Sequence, residues 1–256
     1  MVNKMDESKI SIITPSYNSS EWIEQTYLSI KSQSYSNWEW LVTDDFSCDD
    51  TVTLLKKIRA QDPRVKVFQN EKNLGAAVSR NNSLCYAEGE FVAFIDSDDL
   101  WYPMKLQTQI EFMKENNINF SFTPYELIDK NGVKLHHSVD THNIQYVTYY
   151  DMLRKKATLG CSTVMLRTSA FDDISMPLIR TGQDYALWLR LLKSGEKAYK
   201  LDQILTQYRI LPTSISRNKI KKAKRQWAIY REIEALSLTE SLECFCFYAY
   251  RAVFRK

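Results

Sequence analysis

The first hundred residues alternate short apolar runs with longer amphipathic stretches, and this alternation constrains the fold more than any other feature. Apolar runs of strand length occupy residues 10–14, 38–43, 65–68 and 91–95. Between these runs, apolar residues recur at the spacing of one face of a helix. Strands that alternate with helices form βαβ units and a parallel sheet. We therefore predict an α/β fold that is Rossmann-like, with a mainly parallel central sheet flanked by helices.

The pattern weakens in the second half of the chain. Pro103 suits the first turn of a helix that ends near Asn116. Further strands are expected within 120–127, 133–135, 163–166 and 204–210, and further helices at 184–192, 218–236 and 239–254. The only plausible boundary lies near Arg217. We expect one large domain over residues 1–216 and a helical C-terminal extension over residues 217–256.

The composition is that of a folded globular protein. Hydrophobic residues make up 44% and charged residues 25% of the 256 positions, which excludes disordered and collagen-like chains. A net charge of +3 is too small to indicate nucleic acid as the main partner. The five cysteines form no CxxC pair, so they fit neither a disulfide framework nor a zinc site. Residues 1–9 lack the apolar stretch of a signal peptide, and we expect a cytoplasmic protein.

Polar residues follow each of the first four predicted strands or lie shortly after it. These junctions are residues 15–18, 44–47, 73–75 and 96–99. In a parallel α/β sheet, ligands bind beyond the carboxyl ends of the strands. The four junctions are therefore expected to meet in one site.

The junction at residues 96–99 places three carboxylates, Asp96, Asp98 and Asp99, within four residues. Like charges at this spacing disfavour one another unless a cation neutralises them. Hard oxygen ligands suit Mg²⁺ or Mn²⁺, which would bridge to a diphosphate. The alternative is that Asp99 caps a helix starting near Trp101 and the other two lie in solvent. The pair Asp44 and Asp45 could similarly cap a helix or accept from a nucleobase N–H.

Five segments in order resemble the inverting glycosyltransferases of family 2, which have a GT-A fold. They occupy residues 12–18, 44–51, 73–81, 94–99 and 182–190, within a resemblance that covers about residues 10–216. The resemblance implies a GT-A catalytic domain over residues 1–216. It implies nucleotide-sugar binding by Pro15, Tyr17, Asn18, Asp45, Arg80, Asp96 and Ser97. It also implies a metal ion, Mn²⁺ or Mg²⁺, at Asp98.

The resemblance makes Asp184 the general base. Inverting transfer needs a carboxylate that takes the proton of the acceptor hydroxyl as it attacks the anomeric carbon. The alternative for Asp184 is a helix N-cap. Trp188 and Arg190 match a region that shapes the acceptor side, although Trp188 also has the spacing of a core residue.

Two positions depart from the family pattern. Phe46 replaces the small glycine that usually follows the paired aspartates, so we expect a turn without positive φ there. Leu211 stands where a histidine, which can bind metal in relatives, is usual. His136, His137 and His142 are expected in exposed loops.

The C-terminal segment from Arg217 to Lys256 carries ten basic and four acidic residues, interleaved with aromatics. Basic and aromatic residues together suit an interfacial helix on an anionic membrane. We hypothesise peripheral contact with the inner face of the cytoplasmic membrane. The alternative is that the aromatics pack on the catalytic domain. The segment contains no recognisable nucleic-acid-binding module that would favour RNA binding.

The expected function is transfer of a sugar, with inversion, from a nucleotide-sugar donor to a hydroxyl of a lipid-linked glycan acceptor. A UDP-sugar is the expected donor, and O-antigen or capsule assembly is the setting that the resemblance implies. The alternatives are a Mg²⁺-dependent nucleotidyltransferase and a non-catalytic nucleotide-binding scaffold or sensor.

Overall fold

A computed structural model describes residues 8–211 and 219–254 of the chain. The strands are β1 Ile10–Ser16, β2 Trp38–Asp44, β3 Val65–Gln69, β4 Phe91–Phe94, β5 Leu100–Trp101, β6 Phe120–Phe122, β7 Tyr125–Ile128, β8 Lys134–Val139, β9 Tyr146–Val147, β10 Met165–Arg167, β11 Ala198–Lys200 and β12 Thr206–Arg209. The helices are α1 Ile23–Lys31, α2 Thr51–Gln61, α3 Ala76–Leu84, α4 Lys105–Glu115, α5 Tyr149–Leu153, α6 Gln183–Lys193, α7 Lys219–Ala228 and α8 Leu238–Phe254.

The central sheet has eight strands in the order β3-β2-β1-β4-β10-β6-β11-β9. The four strands predicted from the first hundred residues lie side by side and are all parallel. Strand β10 runs antiparallel between β4 and β6. The α/β fold with a mainly parallel sheet at its centre is therefore confirmed, and the carboxyl ends of β1 to β4 share one edge.

A second sheet of four strands, in the order β5-β12-β7-β8, stands beside the first. The single strand expected over residues 120–127 is divided between the two sheets, because β6 belongs to the large sheet and β7 to the small one. Pro124 lies at the break. Proline has no N–H to donate to a strand ladder, which ends pairing at this point.

The large sheet is covered on both faces, which is why its strands read as continuous apolar runs. Side chains on one face, such as Ile13 and Phe94, pack with α3 and α6. Side chains on the other face, such as Ile12 and Trp40, pack with α1, α2 and α4.

Glu39 on β2 is a buried acid at the amino-terminal end of the sheet. Its Oε1 accepts from Ser11 Oγ at 2.7 Å and from the backbone N–H of Glu88 at 2.9 Å. The ammonium groups of Lys9 and Lys66 lie 3.1 and 3.0 Å from its Oε2. Burial raises the pKa of Glu39, but these donors outweigh burial and the pKa is lowered.

The C-terminal helices pack on the central core. Ile229 and Tyr230, in a π-helical turn after α7, are buried in the same cluster as α6. Tyr230 Oη donates to the carbonyl of Leu153 at 2.5 Å. On α8, by contrast, Leu242 and Tyr250 are 50% and 62% exposed. The expected boundary near Arg217 lies outside the described residues.

Across residues 8–211 and 219–254, no helix is both long enough and apolar enough to cross a bilayer.

Candidate active site

The four polar junctions meet at the carboxyl edge of β1 to β4, as the βαβ pattern predicts. Hydrogen bonds join each junction to a neighbour. Ser19 and Ser97 share a hydrogen bond of 2.7 Å between their hydroxyls, which links the loops after β1 and β4. Asn18 N donates to Ser47 Oγ at 2.8 Å, which links the loops after β1 and β2. The loops after β2 and β3 are linked through Asp45.

Asp45 is buried and organises the loop that leads into α3. Its carboxylate accepts from the backbone N–H groups of Leu74 and Gly75, both at 2.7 Å, and from Asn70 Nδ2 at 2.9 Å. Gly75 has φ 93, a conformation that glycine adopts without steric cost. Asp45 therefore fixes the backbone of this loop, and the role in base binding that the resemblance implies remains a prediction.

Asp44 holds the turn after β2 rather than capping a helix. Its carboxylate accepts from Ser47 N at 2.8 Å and from Ser47 Oγ at 2.5 Å. Phe46, inside this turn, has φ 65. The expectation that a phenylalanine here excludes positive φ is wrong, because the two Ser47 bonds fix a turn that needs it. A non-glycine residue in this conformation costs about 1–2 kcal/mol, and the Asp44 bonds offset that cost.

The residues that follow β1 differ in what they offer to a ligand. Pro15 is buried within the strand, opposite Thr43. Tyr17 is 50% exposed at the edge of the cleft. The Oδ1 of Asn18 accepts from Cys48 N at 3.0 Å, so this side chain pins the neighbouring loop. Of the residues predicted here for nucleotide binding, Tyr17 is the one with an open ring face.

The three carboxylates of the acidic junction differ in burial and in hydrogen-bond partners. Asp96 and Asp98 are half-buried and Asp99 is buried. Asp99 Oδ2 accepts from Ser162 Oγ at 2.5 Å, and its Oδ1 accepts from the backbone N–H of Arg209 at 2.9 Å. The alternative that Asp99 caps a helix is wrong, because the segment after it is β5 and α4 begins only at Lys105.

The half-buried pair has the electrostatics of a cation site. Burial, followed by the charge of Asp96, raises the pKa of Asp98 to about 7. Burial and the two neighbouring carboxylates also raise the pKa of Asp99 well above its ordinary range. A divalent cation would remove this repulsion, and carboxylate oxygens are suitable hard ligands. Among residues 8–211 and 219–254, no set of three or more acidic, histidine or cysteine side chains forms a complete cage.

Ser97, between the two half-buried acids, faces away from them. It is buried, and its hydroxyl bonds Ser19 as described. The backbone carbonyl of Ser97 accepts from Thr26 Oγ1 at 3.0 Å. Ser97 therefore anchors the acidic loop to α1, and the donor contact that the resemblance implies for its side chain remains untested.

Arg80 on α3 interacts with two of the predicted site residues, Asp96 and Asp184. Its side chain is only 5% exposed, and Nη2 forms an ion pair with Asp96 Oδ1. Nε and Nη1 are buried without a hydrogen-bond partner in the structure. Burial lowers the pKa of Arg80, but nearby Cys161, Asp96 and Asp184 outweigh burial and raise it. Buried donors of this kind suit a phosphate or sugar oxygen.

Asp184 occupies the first turn of α6, and Gly182 rather than Asp184 is the N-cap. Gly182 has φ 76, and a Cβ there would lie 3.1 Å from Arg225 Cδ of α7. The N-cap alternative for Asp184 is therefore wrong. Its half-buried carboxylate instead interacts electrostatically with Arg80 and Cys161.

The remaining two predicted residues lie away from this cluster. Trp188 is fully buried, and its Nε1 donates to the carbonyl of Leu159 at 3.2 Å. Its ring packs against Phe94 and Phe120, so the structure places Trp188 in the core rather than on an acceptor surface. Arg190 is exposed and pairs with Asp173 Oδ2 at 3.1 Å.

Ser162 and Arg209 hold the acidic loop in place, and our sequence reasoning gave neither residue a role. Ser162 Oγ donates to Asp99 and accepts from Asp96 N at 3.0 Å. Arg209 Nε donates to the carbonyl of Asp98 at 2.7 Å, and Nη1 donates to the carbonyl of Lys130 at 2.9 Å. The available signal was that Arg209 lies two residues before Leu211, in the segment where relatives usually have a histidine. Leu211 ends the described part of that segment.

Known glycosyltransferases are similar in sequence to most of this chain. The family model described as "Glycosyl transferase family 2" matches residues 11–175. The glycosyltransferase TuaG of Bacillus subtilis is 45% identical over 244 residues, covering 95% of this chain and 96% of TuaG. WfgD of Escherichia coli, named as a UDP-Glc:α-D-GlcNAc-diphosphoundecaprenol β-1,3-glucosyltransferase, is 41% identical over 88% of this chain and 86% of its own.

A solved structure shows the same fold. TarS of S. aureus in complex with UDP-GlcNAc superposes with a TM-score of 0.75 at 24% identity, over 96% of this chain and 73% of TarS. The likeness identifies the fold as GT-A, as the resemblance implied. The family match identifies the enzyme class as a glycosyltransferase, in place of the nucleotidyltransferase and scaffold alternatives. On this evidence the chain belongs to glycosyl transferase family 2.

Proposed function

We propose that this glycosyltransferase moves a sugar, with inversion, from a UDP-sugar to a hydroxyl of a lipid-linked glycan in polysaccharide assembly such as that of O-antigen or capsule. The name of WfgD describes a UDP-glucose donor and a diphosphoundecaprenol-linked acceptor, and its sequence is 41% identical to this chain. That likeness supports both the donor and the acceptor class.

The observation that carries the proposal is the arrangement of Asp184, Arg80 and Asp96. Arg80 is paired with Asp96 and interacts with Asp184, so one buried guanidinium interacts with two half-buried carboxylates. Asp184 would take the proton of the acceptor hydroxyl. The acceptor oxygen then bonds the anomeric carbon from the face opposite the nucleotide, and the bond from that carbon to the phosphate oxygen breaks with its electron pair on the diphosphate.

Asp98, with Asp96 beside it, would hold Mn²⁺ or Mg²⁺. Bound there, the cation would neutralise the charge that develops on the departing diphosphate. Arg80 carries the two unpartnered donors described above, so the chain itself supplies a second source of positive charge for the same group.

The nucleotide would lie between Tyr17 and the loop that Asp45 fixes. Tyr17 presents an exposed ring, and the Asp45 bonds to Leu74 and Gly75 set the position of the opposite wall. An aromatic ring and a rigid backbone suit the recognition of a planar base.

The test is calorimetric titration of UDP, GDP and dTDP, with and without Mn²⁺, into the wild-type protein and the Asp98→Ala variant. We expect Mn²⁺-dependent binding of UDP that is lost in the variant. Asp184→Asn serves as the matched control, since it also alters one acidic side chain of the site but is expected to bind UDP as the wild type does. Absence of UDP binding under every condition would contradict the proposal.

We further propose peripheral contact with the cytoplasmic membrane through residues 217–256. The exposed side chains Leu242 and Tyr250 lie eight residues apart on α8, on the face that does not pack on the core. A double variant, Leu242→Ser with Tyr250→Ser, is expected to reduce co-sedimentation with vesicles of phosphatidylglycerol. Leu28→Ser, at a 58% exposed position on α1, is the control. Equal sedimentation of all three proteins would exclude this contact.

A further inference from the structure

We propose that a pocket between β8, the end of α5 and α8 binds the diphosphate of the lipid-linked acceptor. The inference rests on the proposed function, because it assigns a site to one part of that acceptor. The pocket is separate from the cleft at the carboxyl edge of β1 to β4.

The pocket has a volume of about 540 Å³. A space of this size is within the range of small-molecule sites, which is roughly 300–1,000 Å³. Its lining comes from four separate parts of the chain, which are Tyr125 of β7, β8 with the loop after it, the segment after α5, and Arg251 of α8. A side chain of the C-terminal extension therefore forms one wall of this cavity.

The charged groups that line the pocket are mainly basic. Lys156 and Arg251 are the two cationic residues of the lining, which also contains His137 and His142. An ammonium group carries three N–H donors and a guanidinium carries five, and both bind phosphate oxygens well. The side chain of Lys156 also lies 3.2 Å from Asp151 Oδ1, and Arg251 Nη1 donates to the carbonyl of Lys155 at 3.1 Å.

The one acid in the lining, Asp140, is turned toward the backbone. Its carboxylate accepts from Thr158 N at 2.9 Å and from Leu159 N at 3.0 Å, and the residue is buried. These bonds fix the segment that forms the floor of the pocket. The lining therefore carries two positive side chains, Lys156 and Arg251, and one negative side chain, Asp140.

The segment that forms the floor of the pocket continues to the acidic loop. From Lys156 the chain reaches Ser162, which bonds both Asp99 and Asp96. Ser162 lies six positions after Lys156, so their Cα atoms are at most about 22 Å apart. An acceptor held in the pocket would have to span no more than about this distance to reach the acidic loop.

A second connection runs through two tyrosines. Tyr125 lines the pocket, and its ring lies 5.6 Å from that of Tyr208. Burial raises the pKa of Tyr208, and the negative charges of Asp99 and Asp96 raise it further. Tyr125 and Tyr208 therefore connect the lining of the pocket with the surroundings of the acidic cluster.

Basic groups in this position would hold an anion at the acceptor end of the reaction. A sugar linked through a diphosphate carries that anion next to its own ring, and the lipid chain continues beyond it. Exposed Tyr250 is next to Arg251 on α8, on the surface that we propose contacts the membrane. A lipid chain would leave the pocket toward that surface.

The experiment compares two soluble acceptors that differ only in the anion. One is a short-chain alkyl diphosphate of α-D-GlcNAc, and the other is the alkyl glycoside of α-D-GlcNAc without the diphosphate. The proteins are the wild type, Lys156→Met, Arg251→Met and the control Lys57→Met, an exposed lysine on α2. Binding is measured by calorimetry on full-length protein saturated with UDP, and KM and kcat are measured with UDP-glucose.

We expect Lys156→Met and Arg251→Met to weaken binding of the diphosphate compound by about tenfold or more. The KM for that compound should rise equally, with kcat unchanged and with no effect on the compound that lacks the diphosphate. Lys57→Met should match the wild type throughout. Unchanged binding of the diphosphate compound in both pocket variants would overturn the assignment.

Vesicles distinguish the acceptor from the membrane as the source of the phosphate. If the pocket variants lose binding to phosphatidylglycerol vesicles but keep wild-type affinity for the diphosphate compound, the pocket binds lipid headgroups and the assignment is overturned. If the diphosphate compound binds in a Lys156-dependent way but no sugar is transferred, the pocket assignment stands and the proposed function fails.

Discussion

Asp99 and Arg209 are 110 residues apart in the chain, yet the backbone N–H of Arg209 donates to Asp99 Oδ1 at 2.9 Å. The side chain of Arg209 then donates through Nε to the carbonyl of Asp98 at 2.7 Å. One residue of β12 therefore holds two neighbouring residues of the acidic loop. The proposed metal ligand keeps its position because of a contact from the other end of the domain.

Replacing Arg209 should destabilise the whole protein. Arg209→Ala removes the charge-assisted bonds that this side chain donates to the carbonyls of Asp98 and Lys130, which hold the acidic loop. We expect a loss of about 3 kcal/mol in the free energy of unfolding, measured by urea denaturation. Arg59→Ala, at an exposed position of α2, is the control and should change stability by less than about 0.5 kcal/mol. A similar small change at both positions would refute the role of Arg209.

The general base should be separable from nucleotide binding. Asp184→Asn keeps the shape of the side chain but removes its ability to take a proton at neutral pH, so we expect kcat to fall by about 10²- to 10⁴-fold. The affinity for UDP should stay unchanged. Arg190→Gln, which alters an exposed residue of the same helix, is the control for helix effects. Wild-type turnover by Asp184→Asn would remove Asp184 from the mechanism.

The turn at Phe46 carries strain that glycine would relieve. Phe46 has φ 65 and is 53% exposed, so little burial is lost on substitution. We expect Phe46→Gly to be more stable than Phe46→Ala by about 1 kcal/mol, since both lose the ring but only glycine adopts this φ without cost. Thermal unfolding of the two variants provides the comparison. Equal melting temperatures would mean that the turn relaxes in solution.

Glu39 should make stability fall in acid. Because its pKa in the folded protein is lowered, it contributes stability that is present above the unfolded pKa of about 4.3. That contribution is lost as the pH falls through the lower, folded pKa. The free energy of unfolding of wild type, measured from pH 7 down to pH 3, should therefore decrease more steeply than that of Glu39→Gln. Parallel pH profiles would show that Glu39 titrates alike in both states.

The sequence predicts the first half of the fold because its signals are local. An apolar run such as residues 91–95 indicates a buried strand without knowledge of its neighbours, and the polar residues after it indicate the edge where a ligand would bind. The convergence of the four junctions follows from these signals alone. The division of β6 from β7 at Pro124 escaped prediction, although a proline inside a predicted strand was a visible warning.

The site was less predictable where the position of an acidic side chain depends on hydrogen bonds that residue types alone do not show. Asp44 and Asp99 are spaced like helix caps, but their real partners are Ser47 in a turn and Ser162 in a separate segment. A linear pattern does not show that Ser162 lies beside Asp99. Phe46 was expected to avoid positive φ for a different, local reason, since the residue types alone do not show that Ser47 bonds Asp44 across the turn.

The partners of the acidic loop also determine when this loop can reach its final structure during folding. Its partners Ser162 and Arg209 are 63 and 110 residues further along the chain than Asp99. Contacts of such separation form late, because the entropy of closing a long loop is lost before any of its stabilising bonds can form. During synthesis, β1 to β4 can emerge and begin to associate while the loop still lacks both partners. The nascent chain would therefore acquire a functional acidic loop only after β12 has left the ribosome.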